Sequence, residues 1–245
     1  VSLALARRAS AEFAGTALLV AAVVGSGIAA TRLSPGDAGL QLLENAIATA
    51  LALGALILTF GPVSGAHLNP VVSAVDWWLG RRAGTGLPAR DLAAYTVAQA
   101  GGAISGAVLA DLMFGVPAAA WSRTERSGGN LWLAEVVATA GLVVLIFALA
   151  RSGRTSAAPA AVGAYIGAAY WFTSSTSFAN PAVTIGRAVT DTFAGIAPAS
   201  VPGFVAAQLI GGLVAVAALA AWYPGSGQAG DAVVVPHRIK EIEAR

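Results

Sequence analysis

The dipeptide Asn-Pro occurs twice in closely similar surroundings, as Asn69-Pro70 within 64-SGAHLNPVVSAVDWW-78 and as Asn180-Pro181 within 174-SSTSFANPAVTIGRAV-189, 111 residues apart. Two further landmarks recur in the same order. The stretch 11-AEFAGTALLV-20 matches 134-AEVVATAGLVV-144, with Glu12 and Glu135 each following an alanine, and 99-QAGGAISGAVLA-110 matches 208-QLIGGLVAVAALA-220. Three landmarks in one order identify a duplicated unit. Each copy contains three long apolar stretches, and an odd number sends the second copy into a bilayer from the opposite side. The chain therefore reads as an inverted repeat, which narrows its folds to those built around an internal two-fold axis in the membrane plane.

The composition agrees with membrane residence. Hydrophobic residues make up 57% of the 245 and charged residues 11%, against about a quarter charged in soluble domains. Windows at about 11–31, 41–63, 92–114, 131–150, 157–173 and 203–223 approach the roughly 20 apolar residues that cross a bilayer core. The resulting fold class is an all-α membrane protein with six transmembrane helices, an inverted internal repeat and two re-entrant half-helices. The half-helices follow from the ten to fourteen apolar residues after each Asn-Pro, too few to cross. One domain is expected over 1–225, with repeat 1 at about 8–115 and repeat 2 at about 130–223, followed by a polar tail at 226–245.

The net charge of +2 does not point to nucleic acid, because the basic residues stand singly or in pairs at span ends. With a cytoplasmic N-terminus, the inner side carries Arg7, Arg8, Arg81, Arg82, Arg90, Arg151, Arg154, Arg238, Lys240 and Arg245, and the outer side Arg32, Arg123, Arg126 and Arg187. That imbalance places both termini inside. The opening VSLALARRASAEFAGTALLVAAVVG has the charge pattern of a cleavable leader, yet Glu12 belongs to the repeat, which argues for retention. The absence of cysteine removes disulfides, thiolate metal sites and thiol catalysis. His67 and His237 are far apart in sequence, so no metal and no cofactor are expected.

Asparagine is a strong N-cap, and proline suits the first helical position because its missing N–H has no partner there anyway. Each Asn-Pro is thus a helix start at membrane depth, where irregular backbone survives only against protein or a watery cavity. Two such starts entering from opposite faces oppose their positive dipole ends and repel cations. With each asparagine carbonyl held by backbone, the amide N–H groups can donate to a passing solute. Gly101, Gly102 and Gly106 in the third span, and Gly211 and Gly212 in the sixth, permit close helix crossing.

Taken together, the two Asn-Pro motifs, SGAHLNP, the AEF and AEV openings and the Gln-led third and sixth spans resemble the aquaporin and aquaglyceroporin family of major intrinsic proteins, over about residues 8 to 223. The resemblance implies six tilted helices and two half-helices around one pore per protomer, in a homotetramer within the cell membrane. It further implies a passive channel for small neutral solutes, not an enzyme. Asn69, Pro70, Val71 and Asn180, Pro181, Ala182 would form its pore motifs. Gly65, Ala66, His67, Thr176 and Phe178 would line the pore with loop backbone, and Glu12 and Glu135 would tie those loops down. Trp77-Trp78 reads as an interfacial anchor.

The chain departs from that family at the outer filter. Most members carry arginine directly after the second motif, where it forms the narrow outer filter; here the residue is Val183. Counting without gaps from the asparagines, the remaining filter positions are Thr49, Ala168 and Ser177, all small, which predicts a wide and weakly polar constriction. Arg187 lies four residues beyond Val183 on the same helical face, and two readings stand. Either its guanidinium leans back to the vacated place, or it reaches outward to the headgroups. Asp76, its counterpart in the first repeat, belongs to the opposite side of the membrane. The segment FTSSTSFANPAVTIGR resembles family members linked to bacterial arsenic-resistance gene clusters, which implies trivalent arsenic hydroxide or its methylated form as cargo. A glycerol, urea or water pore is the nearest alternative. A secondary transporter and a closed junction protein are the rivals from other classes.

Overall fold

The computed structural model describes residues 3–81 and 83–224. Arg82, the expected tail at 226–245 and His237 lie outside the described residues. Eight α-helices follow one another: α1 (Leu3–Leu33), α2 (Ala38–Ser64), α3 (Pro70–Gly80), α4 (Ala89–Met113), α5 (Gly129–Arg151), α6 (Ala158–Phe172), α7 (Pro181–Arg187) and α8 (Val201–Trp222). Short 3-10 turns at Thr155–Ala157 and Pro198–Ser200 lead into α6 and α8. Among the described residues, five helices are long and apolar enough to cross a membrane: α1, α2, α4, α5 and α8. The fifth expected span, α6, has only 15 residues and rises about 22 Å, and a turn at Thr173 to Thr176 follows its end.

The packing repeats itself. α1 packs on α4 as α5 packs on α8, α1 touches α2 as α5 touches α6, and α3 lies on α8 as α7 lies on α4. α2 and α6 meet across the two-fold axis. Close crossings come from small residues. At Gly102 and Gly106 the carbonyls of Phe13 and Ala17 on α1 stand where a Cβ would go, and at Gly211 the Val136 carbonyl of α5 would be 2.7 Å from it. Gly101 faces only the Phe13 ring at ordinary contact distance, so its lack of a side chain is not needed there. The crossings are backbone-to-backbone, which suits a lipid solvent that supplies no hydrophobic drive between helices.

α3 and α7 are the two half-helices. They contain 11 and 7 residues, together about 27 Å long, close to one hydrocarbon thickness. Each begins as its sequence dictates. Asn69 is extended, and its Oδ1 accepts from Val71 N–H at 2.9 Å; Asn180 is extended, and its Oδ1 accepts from Ala182 and Val183 N–H at 3.0 and 3.3 Å. α7 ends after two turns because Ile196 N–H and Ser122 N–H claim the carbonyls of Arg187 and Ala188. At the end of α3, the Arg81 guanidinium lies 3.5 Å from the Trp78 ring centre, with Trp77 at 5.6 Å.

Candidate functional site

The two half-helices meet at their N-termini. Asn69 Nδ2 donates to Ala179 O at 2.8 Å, and Asn180 Nδ2 donates to Leu68 O at 2.7 Å. Each amide thus grips the carbonyl just ahead of the other asparagine and keeps a second N–H. Both asparagines line one cavity, with their capped Oδ1 atoms fixed by backbone. The positive ends of α3 and α7 converge at this point, each equivalent to about half an elementary charge.

The loops ahead of the asparagines are held in an unusual conformation. Gly65, Ala66 and Leu68 have φ of 99°, 49° and 49°, and their counterparts Thr176, Ser177 and Ala179 have 61°, 50° and 49°. A side-chain-bearing residue pays about 1–2 kcal/mol to sit in this region, so something must hold five of the six there. Two buried carboxylates do so. Glu12 accepts from Ser64 Oγ (2.6 Å), His67 N–H (3.0 Å), Leu68 N–H (2.7 Å) and Gln99 Nε2 (2.7 Å). Glu135 accepts from Ser175 Oγ (2.6 Å), Phe178 N–H (2.8 Å), Ala179 N–H (2.8 Å) and Gln208 Nε2 (2.6 Å). The second glutamine contacts also repeat, Gln99 to Ser73 Oγ at 3.1 Å and Gln208 to Thr184 Oγ1 at 2.9 Å. His67 is buried, with Nδ1 2.9 Å from Ser73 Oγ and Nε2 4.0 Å from Asp76, whose Oδ2 also accepts from Leu87 N–H at 2.8 Å.

Of the residues singled out in the sequence, Thr49, Gly65, Ala66, His67, Asn69, Ser177, Phe178, Asn180, Val183 and Arg187 line the cavity. Pro70, Val71, Pro181 and Ala182 start the half-helices and do not line it; Val71 instead packs against Gly212 on α8. Thr176 also stands off the cavity, in the loop turn where its N–H reaches Thr173 O.

Ala168 is a correction. It is exposed on the outer face of α6, while Val162, Ile166 and Tyr170 of that helix face the cavity. These three recur every fourth residue, and a residue two positions from either neighbour points about 200° away. Gap-free counting from Asn180 fails because a turn and a loop with left-handed residues, not helix, join α6 to the motif. The cavity therefore has an aromatic hydroxyl where a methyl group was expected. Tyr170 Oη lies 3.2 Å from Thr49 Oγ1. The i, i+4, i+8 stripe was the signal that could have identified Tyr170, as Thr49, Leu53 and Ile57 show on α2.

Arg187 turns inward. It is 2% exposed, lines the cavity, donates from Nε to Ala194 O, and holds its guanidinium carbon 3.4 Å from the Phe178 ring centre. The headgroup reading of this residue does not fit its burial. The cavity lining is amphipathic, with Thr49, Tyr170, Ser177 and Arg187 beside Val183 and Phe178.

The chain matches the family model described as major intrinsic protein over residues 1–179. It is 53% identical over 213 residues to aquaglyceroporin AqpS of Rhizobium meliloti, covering 87% of this chain and 88% of that one. It is 32% identical over 194 residues to aquaporin TIP1-2 of Zea mays, covering 75% and 74%. The X-ray structure of the aquaglyceroporin from Plasmodium falciparum superposes with a TM-score of 0.65 at 20% identity, covering 89% of this chain and 96% of that chain. That structural likeness speaks for the fold.

Proposed function

Since the chain belongs to the major intrinsic protein family, a group of multi-pass membrane channels, we propose that it conducts polyol-sized neutral solutes through the cavity between its two asparagines. The carrying observation is the reciprocal pair of asparagine bonds, which fixes two amide donors beside one cavity. A solute bearing hydroxyl groups can exchange hydrogen bonds with Thr49, Tyr170, Ser177 and Arg187 while its carbon or arsenic side slides along Val183 and Phe178. An ion would lose its hydration against the apolar wall at a cost of several kcal/mol after relaxation, with converging helix dipoles adding repulsion for cations.

Glycerol fits this amphipathic lining, and so does trivalent arsenic hydroxide, a neutral polyhydroxy species; the chain has no cysteine to trap it. The 53% identity to a protein named an aquaglyceroporin supports solutes larger than water. The charge imbalance supports cytoplasmic termini. Apolar residues exposed along α2 and α8, such as Leu51 at 70% and Leu213 at 64%, support a surface that meets lipid and further copies of the chain in a tetramer.

The test is a flux panel in proteoliposomes with water, glycerol, urea and arsenous acid. Glycerol and arsenous acid should pass at rates well above empty vesicles, without an ion gradient. Conduction of water alone, or flux that demands a sodium or proton gradient, would overturn the reading.

A further inference from the structure

The chain segment after α7 binds two guanidinium groups with three successive carbonyls. Ala194 O takes Nε of Arg187, while the carbonyls on either side, Phe193 and Gly195, take Nη2 and Nε of Arg126 at 3.4 and 2.9 Å. The segment is a turn, closed by Gly195 N–H to Thr192 O at 2.9 Å, and its successive carbonyls serve a different guanidinium in alternation. Phe178, which lines the cavity, offers its ring to both cations, with the two guanidinium carbons at 3.4 and 5.3 Å from its centre.

Arg126 reaches this place from the loop joining α4 to α5, and that loop is tied across the end of α7. Ser122 N–H donates to Ala188 O at 3.0 Å, Ala197 N–H to Thr124 O at 2.7 Å, and Arg126 N–H to Ser200 Oγ at 3.0 Å. Arg123 pairs with Asp191 at 2.7 Å beside them. Burial pushes the Arg126 guanidinium below the ordinary arginine range, with Tyr170 and Glu135 nearby opposing the shift. Arginine remains charged at neutral pH after such a shift. The two cations repel one another, and the carbonyls of residues 193–195 with the Phe178 ring offset that repulsion and fix both charges in place. The position after the second motif, Val183, has no charge of its own.

We propose that Arg126 is a specificity-determining residue: the loop between α4 and α5 supplies a second fixed positive charge that, together with Arg187, forms the cation barrier at the outer mouth in place of an arginine at Val183. This rests on the reading of the cavity as the solute path. Arg126 stands behind the Phe178 ring and does not line the cavity itself. One unit charge on the order of 10 Å from a passing cation, at an effective dielectric constant near 20, changes its passage by roughly tenfold.

The experiment compares wild type, Arg126→Gln, Arg126→Lys, Arg187→Gln and the Arg126→Gln/Arg187→Gln double variant in proteoliposomes, reading potassium and proton leak against glycerol flux. The ratio of leak to glycerol flux should rise about tenfold in Arg126→Gln, stay near wild type in Arg126→Lys, and exceed either single variant in the double. A ratio unchanged in Arg126→Gln overturns the proposal. So does a leak in Arg126→Lys equal to that in Arg126→Gln, which would make the side chain a strut for residues 193–195 and not a charge. A wild type that passes no glycerol refutes the solute path separately, since that result comes from the flux arm alone.

Discussion

Replacing Glu135 with glutamine changes one oxygen into an amino group and leaves size almost untouched, so its effect measures the carboxylate's hydrogen bonds and charge without a change in packing. Both carboxylate oxygens are saturated by donors: Oε1 takes Ser175 Oγ and Phe178 N–H, and Oε2 takes Ala179 N–H and Gln208 Nε2. The amide oxygen of glutamine can serve one pair only. On the other side Ser175 can rotate to accept, or Gln208 can flip, but a backbone N–H, that of Phe178 or Ala179, is left facing another donor in either case. A buried unpaired N–H costs about 1–3 kcal/mol, and losing a charge-assisted bond about as much again, giving roughly 3–5 kcal/mol. That loss releases Thr176, Ser177 and Ala179, whose left-handed backbone costs about 1–2 kcal/mol each to maintain. Asn180, next in the chain, then loses its alignment with Leu68 O. The expected result is a fall in thermal midpoint of about 10 °C in detergent and at least a tenfold loss of glycerol flux in proteoliposomes. Glu12→Gln should behave alike, because Ser64, His67, Leu68 and Gln99 surround it in the same way. A Glu135→Gln protein with wild-type midpoint and flux would show that the carboxylate does not hold the loop, and the account of its strain would fail.

Tyr170→Trp should reduce glycerol flux more than tenfold while Ala168→Trp leaves it unchanged, because Tyr170 faces the cavity and Ala168 does not; the reverse order in a stopped-flow assay would restore the gap-free alignment. Gly106→Val should cost about 3 kcal/mol or more, since the Ala17 carbonyl occupies the space of the new side chain, and the recovery of folded protein after detergent extraction reports it. Asn180→Asp keeps the cap acceptor for Ala182 N–H but sets a carboxylate against Leu68 O. Potassium leak should rise about tenfold relative to glycerol flux, and an unchanged ratio would argue against a barrier at the asparagine pair.

How much of this was legible in the sequence depended on the range of the interaction concerned. Asparagine caps a helix with atoms two and three residues away, so both half-helix starts could be read directly from Asn69-Pro70 and Asn180-Pro181. Span lengths and the repeat followed from hydropathy and spacing, although α6 proved shorter than its apolar window because a turn begins at Thr173. The cross-repeat bonds of Asn69 and Asn180 join residues 110 and 112 apart, and were reached through duplication and family resemblance instead of local chemistry. Tertiary structure alone decided which face of α6 meets the cavity, because helical phase relative to a distant motif depends on how much of the intervening chain is coiled or extended. It also decided the direction of Arg187, whose side chain could lean either way until the Ala194 carbonyl and the Phe178 ring were in place. Arg126 was read only as a topology charge, for nothing in its neighbours announces where a loop will lay a guanidinium. A sequence specifies which groups can cap, pair and cross a bilayer, but the depth and direction of a long side chain are fixed only when the folded backbone brings its partners within hydrogen-bonding distance.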